Sequence, residues 1–258
     1  MEPPTLSIRR TLLLLAGLLL AGIAHADRPV LKVLFGVHKP PYIHEPNRSG
    51  LDYEIVNQAV QLMGYQLQAD FTPPARGVLL FKNADIDALA TMRESSGLEG
   101  AYSDAYISYQ NVATVLAKRG IVLNNIEDLA GYSVAAFQNA KLNLGERYRN
   151  AVDKSPSYQE VSPQVIQNKL LYSGRVDVVI GDRLIFRYFN QEAASLVDVK
   201  QPIQQFALFP PTEYKVLFRD PAMRDRFNNA LRALKARGTY REIEQKYLDN
   251  QSSGTAPQ

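Results

Sequence analysis

The chain contains no cysteine, which excludes disulfides and thiolate metal sites and leaves no residue for lipoprotein acylation. It holds only three histidines, His25, His38 and His44, so imidazole chemistry has little to draw on. No Gly-x-Ser-x-Gly, His-Glu-x-x-His or phosphate-loop string occurs, and no nucleophile and base pair stands out. A surplus of one charge is lacking as well. The formal net charge is +3, and basic residues alternate with acidic ones, as from Arg241 to Asp249, instead of forming a stripe that neutralises phosphates. Nucleic acid is therefore not an expected partner, and neither a metal nor a cofactor is expected.

A long apolar run is the last absence. Leu12 to Ile23 falls short of the roughly 20 residues that a helix needs to cross a bilayer core. Arg9 and Arg10 precede it and Ala24-His25-Ala26 follows, the order of a secretory signal peptide cleaved after Ala26. Its removal leaves 27 basic against 25 acidic residues. Without an acylation site the product floats free, and its expected compartment is the periplasm.

About 230 residues remain, enough for one large domain or two lobes. Leu31 to Val37 reads as a strand buried on both faces. Ile55, Ala59, Leu62 and Met63 follow at helical spacing, and Gly64 supplies a stop. Pro73 to Arg93 and Pro163 to Arg183 align without a gap, each as helix, turn and buried strand, with Leu80 on Leu170, Ile86 on Val176 and Asp87 on Asp177. Gly131 to Phe137 repeats the opening strand, and Lys141 to Val152 is expected to be helical. Asp220-Pro221 should cap a helix that buries Met223, Phe227, Ala230, Leu231 and Leu234. Gly238 should end it, with Thr239 and Glu242 as a capping box for a last helix.

The strings GLDYEIVNQAVQLMG (50–64), AYSDAYIS (101–108), IEDLAGYSVAAFQNA (126–140), GRVDVVIGD (174–182) and ALKARGTYREIEQKYL (233–248) occur in one order. Together they resemble the bacterial extracellular solute-binding proteins of family 3. That resemblance implies the α/β type II periplasmic binding fold: two lobes, each a mostly parallel sheet flanked by helices, joined by two crossover strands. Lobe 1 would take residues 27–112 with 207–250 and lobe 2 residues 113–206, with 1–26 as the signal and 251–258 as a disordered tail. The crossings would fall near 111–114 and 204–208. Independently, ligands in open α/β sheets sit beyond the carboxyl ends of the strands, here the loops after Val37, Thr91, Phe137 and Gly181.

The resemblance also proposes a site. Asp182 stands where the family meets an α-ammonium, although the same residue before Arg183-Leu184-Ile185-Phe186 would serve as a helix N-cap. The family's carboxylate-binding arginine has two candidates, Arg93 at a strand end and Arg76 at a helix start, since Ser95-Ser96 occupies its usual place; a guanidinium fork suits a carboxylate. Tyr42, in a loop stiffened by Pro40 and Pro41, either covers a ligand or packs beneath the loop. Lys39 would favour an acidic group on the ligand. Gln138 and Asn139 replace the family's small turn at a helix start, and Tyr102 matches a family position within reach of the cleft. Asp52, Asp87, Asp177 and Tyr106 read as scaffold.

The expected function is that of a periplasmic receptor, monomeric and not an enzyme, that captures a small polar metabolite, an amino acid or related compound, for an ABC importer with its membrane permease. Two alternatives stay open. One is a dehydratase-like enzyme on the same fold, for which Glu45 and Glu213 are the unremarkable acid and base candidates. The other is a module that presents ligand to a membrane sensor.

Overall fold

The computed structural model describes residues 28–83 and 85–253, with side chains as far as Tyr247. The signal segment expected over 1–26 and residues 254–258 of the expected tail lie outside the described residues. In chain order the elements are β1 (Val30–Phe35), α1 (Leu51–Leu62), β2 (Gln66–Phe71), α2 (Pro74–Asn83), β3 (Ala88–Met92), β4 (Ala101–Tyr102) and β5 (Ile107–Tyr109). There follow β6 (Asn111–Leu116), β7 (Val134–Phe137), α3 (Ala140–Asn143), α4 (Glu146–Val152), β8 (Tyr158–Val161), α5 (Val165–Tyr172), β9 (Val178–Asp182), α6 (Arg183–Ala193) and β10 (Ile203–Phe206). The chain closes with β11 (Thr212–Phe218), α7 (Pro221–Ala236) and α8 (Thr239–Ser253).

Two sheets result. The first runs β2-β1-β3-β11-β4, with β5 also on β11, and the second runs β10-β6-β9-β7-β8. Each has a parallel βαβ core, β1 with β2 and β3 in one and β7 with β8 and β9 in the other. Each is extended by antiparallel strands that carry the chain between lobes: β11 on β3 in the first, and β6 between β9 and β10 in the second. The sheets are therefore mixed, because a strand that arrives from the other lobe enters against the direction of the core. The chain passes from one sheet to the other at Gln110, between β5 and β6, and back through 207–211, between β10 and β11.

The aligned segments occupy equivalent places. Asp87, just before β3, accepts from the Lys32 N–H of β1 at 2.7 Å and donates its own N–H to the Lys32 carbonyl at 3.0 Å. Asp177, just before β9, does the same for Ser133 before β7, at 2.9 and 3.1 Å. A short carboxylate at that position satisfies an N–H that the neighbouring strand leaves unpaired. The two lobes thus fasten their central strands with the same device.

Helix boundaries follow local chemistry. The Asp220 side chain caps α7 through the Ala222 N–H at 2.9 Å, with Pro221 in the first turn where its missing N–H costs nothing. Phe227, Ala230, Leu231 and Leu234 of α7 are buried, and the Phe227 ring meets Phe218 of β11 at 5.3 Å. Each such side chain contributes about 1.5–3 kcal/mol by leaving water. The helix expected over 141–152 is broken into α3 and α4 at Gly145, whose φ of 87° ends one helix and opens the next. The capping box is also replaced. Thr239 is already inside α8, and the Glu242 N–H donates to the Gly238 carbonyl at 3.0 Å. The same helix continues to Ser253, into the segment expected to be irregular.

Candidate functional site

β9 ends in Asp182, and α6 begins at the next residue. The carboxylate caps that helix: Oδ1 accepts from the Leu184 and Ile185 N–H groups at 2.9 and 3.1 Å. Oδ2 turns the other way and accepts the Gln110 N–H at 2.8 Å and the Tyr42 hydroxyl at 3.0 Å. A carboxylate offers about four lone-pair positions, and here all four are used. Burial raises the Asp182 pKa above the ordinary carboxylate value, while these donors pull it back. Asp182 is 4% exposed.

Tyr42 belongs to the other lobe. Its ring is fully buried and stacks on Tyr109 with centroids 3.7 Å apart and planes at 19°. Its loop is tied to the start of α1, where the Asp52 N–H donates to the Tyr42 carbonyl at 2.9 Å. Gly50 makes that approach possible. With φ at 115°, a Cβ there would lie 2.3 Å from the Tyr42 carbonyl oxygen.

Between the lobes lies a cavity of about 460 Å³, within the range of small-molecule sites. Lobe 1 contributes Lys39 after β1, Pro74 after β2 and Arg93 after β3; lobe 2 contributes Gln138 after β7, Ser162 after β8 and Asp182 at the end of β9. The cavity therefore sits at the carboxyl ends of the parallel strands. Asp182 on one side faces Lys39 and Arg93 on the other. Among the described residues neither cation has a carboxylate within salt-bridge distance. Lys39 is an exposed residue, and crowding around its ammonium by groups of both lobes lowers its pKa by desolvation, against the opposing pull of Asp52 and Asp182. Its Nζ lies 5.4 Å from the centre of the Tyr109 ring, a cation–π distance.

A second chamber of about 330 Å³ opens on lobe 1 and shares Lys39, Pro74 and Tyr214 with the first. Phe35, Ile43, Val78, Leu89 and Met92 make it largely apolar. Thr91 also lines it, with φ at 59°, a conformation a β-branched residue avoids at a cost of about 1–3 kcal/mol. The Thr91 N–H donates to the Tyr106 hydroxyl at 3.1 Å, and its Oγ1 donates to Asp52 Oδ2 at 2.8 Å. Asp52, with no exposed surface, also accepts from the hydroxyls of Tyr106 and, at 3.2 Å, Tyr109. Burial raises the Asp52 pKa and these hydroxyls lower it. The strained turn that leads to Arg93 is thus held by a buried carboxylate.

Of the residues named from sequence, Lys39, Arg93, Gln138 and Asp182 line the cavity and Tyr42 supports it from below. Three stand elsewhere. Arg76 is exposed on α2 and lines neither chamber. The Asn139 N–H donates to Glu160 at 2.6 Å. The Tyr102 hydroxyl bonds Ser96 and the Leu98 carbonyl, at 2.8 and 3.0 Å, in the packing around β4. Sequence reasoning missed Tyr109, Asn111, Thr212 and Tyr214, which line the cavity from the two crossings. The alternation of Thr212 and Tyr214 in β11 was the available signal.

Two α/β lobes joined by crossing strands, with a small-molecule cavity between them at the strand ends, define a solute-binding architecture. The chain belongs to the bacterial extracellular solute-binding proteins, family 3, whose sequence model matches residues 31–250. No curated protein matches the chain in sequence. Among solved structures it is similar to an ancestral arginine-binding protein bound to arginine, at 19% identity over 86% of this chain and 99% of the other, with a TM-score of 0.61. It is also similar to substrate-binding domain 2 of GlnP from Lactococcus lactis in the open conformation, at 17% identity over 88% and 98% of the chains, with a TM-score of 0.63. A histidine kinase sensor domain gives 18% identity over 86% and 97%, with a TM-score of 0.64. Likeness at these identities shows the shared fold. Among the described residues no helix is long and apolar enough to cross a membrane.

Proposed function

We propose that the chain is a periplasmic receptor that captures a small carboxylate-bearing metabolite, an amino acid or related compound, between its lobes and delivers it to an ABC importer without transforming it. The observation that carries this reading is the makeup of the cavity wall. Cations from lobe 1 and polar groups from lobe 2 face one space, so a ligand that touches both stabilises the closed arrangement over the open one. A membrane partner then distinguishes loaded from empty protein by shape. Export through the segment 1–26 and action as a monomer complete the reading.

Thermal shift against amino acids, opines, polyamines and small carboxylates tests it. A true ligand at a hundredfold excess over its Kd adds about 2.7 kcal/mol, a rise in Tm of about 5–10 °C for a chain of this size. Silence across the panel contradicts the receptor reading. The similar sensor domain favours a second reading, in which the loaded protein is read by a membrane sensor. Ligand-dependent stimulation of a permease ATPase in reconstituted vesicles supports import, and its absence supports sensing.

A further inference from the structure

The cavity is asymmetric in what it leaves unused. Lys39 offers three N–H donors and Arg93 five, and among the described residues neither pairs with a carboxylate within salt-bridge distance. Asp182, the one carboxylate among the described residues that line the same space, has both oxygens engaged by two donors each. Three of those four are backbone N–H groups fixed by α6 and the first crossing. The fourth, the Tyr42 hydroxyl, belongs to a ring with 1% exposure stacked on Tyr109. An ammonium group seeking Asp182 must break a buried hydrogen bond and leave its former partner unpaired, a loss on the scale of the gain. A carboxylate seeking Arg93 and Lys39 breaks no salt bridge recorded among the described residues.

The second chamber adds the other half. It adjoins the cations through Lys39 and Tyr214, and its walls are Phe35, Ile43, Val78, Leu89 and Met92. An apolar group placed there leaves water at about 25 cal/mol for each Å² buried. Elsewhere in the main cavity Gln138, Ser162 and Gln164 offer neutral polar groups beside apolar Phe137, Leu144 and Ile185, and the polar ones suit a hydroxyl or carbonyl beside the carboxylate.

Resting on the receptor reading above, we propose that the ligand is a monocarboxylic acid with an apolar body and a hydroxyl or oxo group, and without an ammonium. Its carboxylate lies between Arg93 and Lys39, and its body fills the chamber on lobe 1. Among acids of amino-acid size, the site selects those that lack an ammonium.

Isothermal titration with L-leucic acid against L-leucine, and with L-phenyllactate against L-phenylalanine, compares ligands that differ in one group, hydroxyl for ammonium. The expected result is one-to-one binding of at least one hydroxy acid, about tenfold or more tighter than its amino acid. Arg93→Ala should weaken that binding by about a hundredfold, since it removes a charge-assisted bidentate contact. Leu89→Asp, which puts a charge into the chamber, should weaken it further while Arg93 is intact. An amino acid that binds as tightly as its hydroxy acid overturns the proposal, and so does a failure of both hydroxy acids to bind. Either result leaves the receptor reading in place if the thermal-shift panel yields another ligand.

Discussion

The Tyr42 hydroxyl donates to Asp182 Oδ2 at 3.0 Å, and that bond joins a loop of lobe 1 to the strand end of lobe 2. Together with the Gln110 N–H it occupies Oδ2, the oxygen turned away from α6. Tyr42→Phe keeps the stacked ring and removes only the donor. The variant should lose about 1.5–3 kcal/mol of stability, the usual range for a hydrogen bond to a charged group. It should also shift the preference between leucic acid and leucine toward the amino acid by about tenfold, because Oδ2 regains a free lone pair. Urea denaturation and competition calorimetry read the two effects.

Asp182 has a structural duty that outweighs any other. Asp182→Ala strands the N–H groups of Leu184, Ile185 and Gln110 and the Tyr42 hydroxyl. Loss of the cap alone costs about 1 kcal/mol, and each buried unsatisfied donor costs about 1–3 kcal/mol. The variant should be destabilised by about 4 kcal/mol in urea denaturation, with Asp182→Asn losing less because its carbonyl oxygen still accepts.

Asp52 gives a pH signature. Its folded pKa is raised by burial above the ~3.9 of an unfolded aspartate. Between about pH 4 and the folded value the native state keeps a proton that the unfolded chain has lost, so stability falls as pH rises through that window. Asp182, also raised, adds in the same direction. Asp52→Asn should flatten this decline, as seen in denaturation midpoints taken from about pH 4 upward.

Lys39 controls the alkaline limb of binding. Desolvation lowers its pKa, and only the protonated form attracts a carboxylate. Affinity for leucic acid should hold steady below that pKa and decline as pH rises through it, with proton uptake on binding in that interval. Lys39→Arg, which stays charged at any accessible pH, should move the decline upward.

Much of the fold was readable from residues that act locally. Gly64 and Asp220-Pro221 mark helix ends through their own backbone geometry and hydrogen bonds, whereas Asp87 and Asp177 showed as a matched pair in the aligned segments although their partners lie 55 and 44 residues away. The antiparallel strands were harder to read, since direction leaves no mark on composition. In the site, Arg93 and Lys39 follow from their place at strand ends. Tyr109 and Tyr214 do not, because they reach the cavity from crossings whose positions depend on how the two sheets sit. The state of Asp182 was the least readable feature. Its N-cap role is local, but its third and fourth partners, Gln110 and Tyr42, are 72 and 140 residues away.

A crystal structure of the complex with the tighter-binding hydroxy acid tests the central claim most directly. The account predicts the carboxylate within hydrogen-bonding distance of the Arg93 guanidinium and the Lys39 ammonium, the apolar body against Phe35 and Leu89, and the bond from Tyr42 to Asp182 intact. A ligand bound outside this cavity, or one reaching Asp182 through a displaced Tyr42, would contradict it.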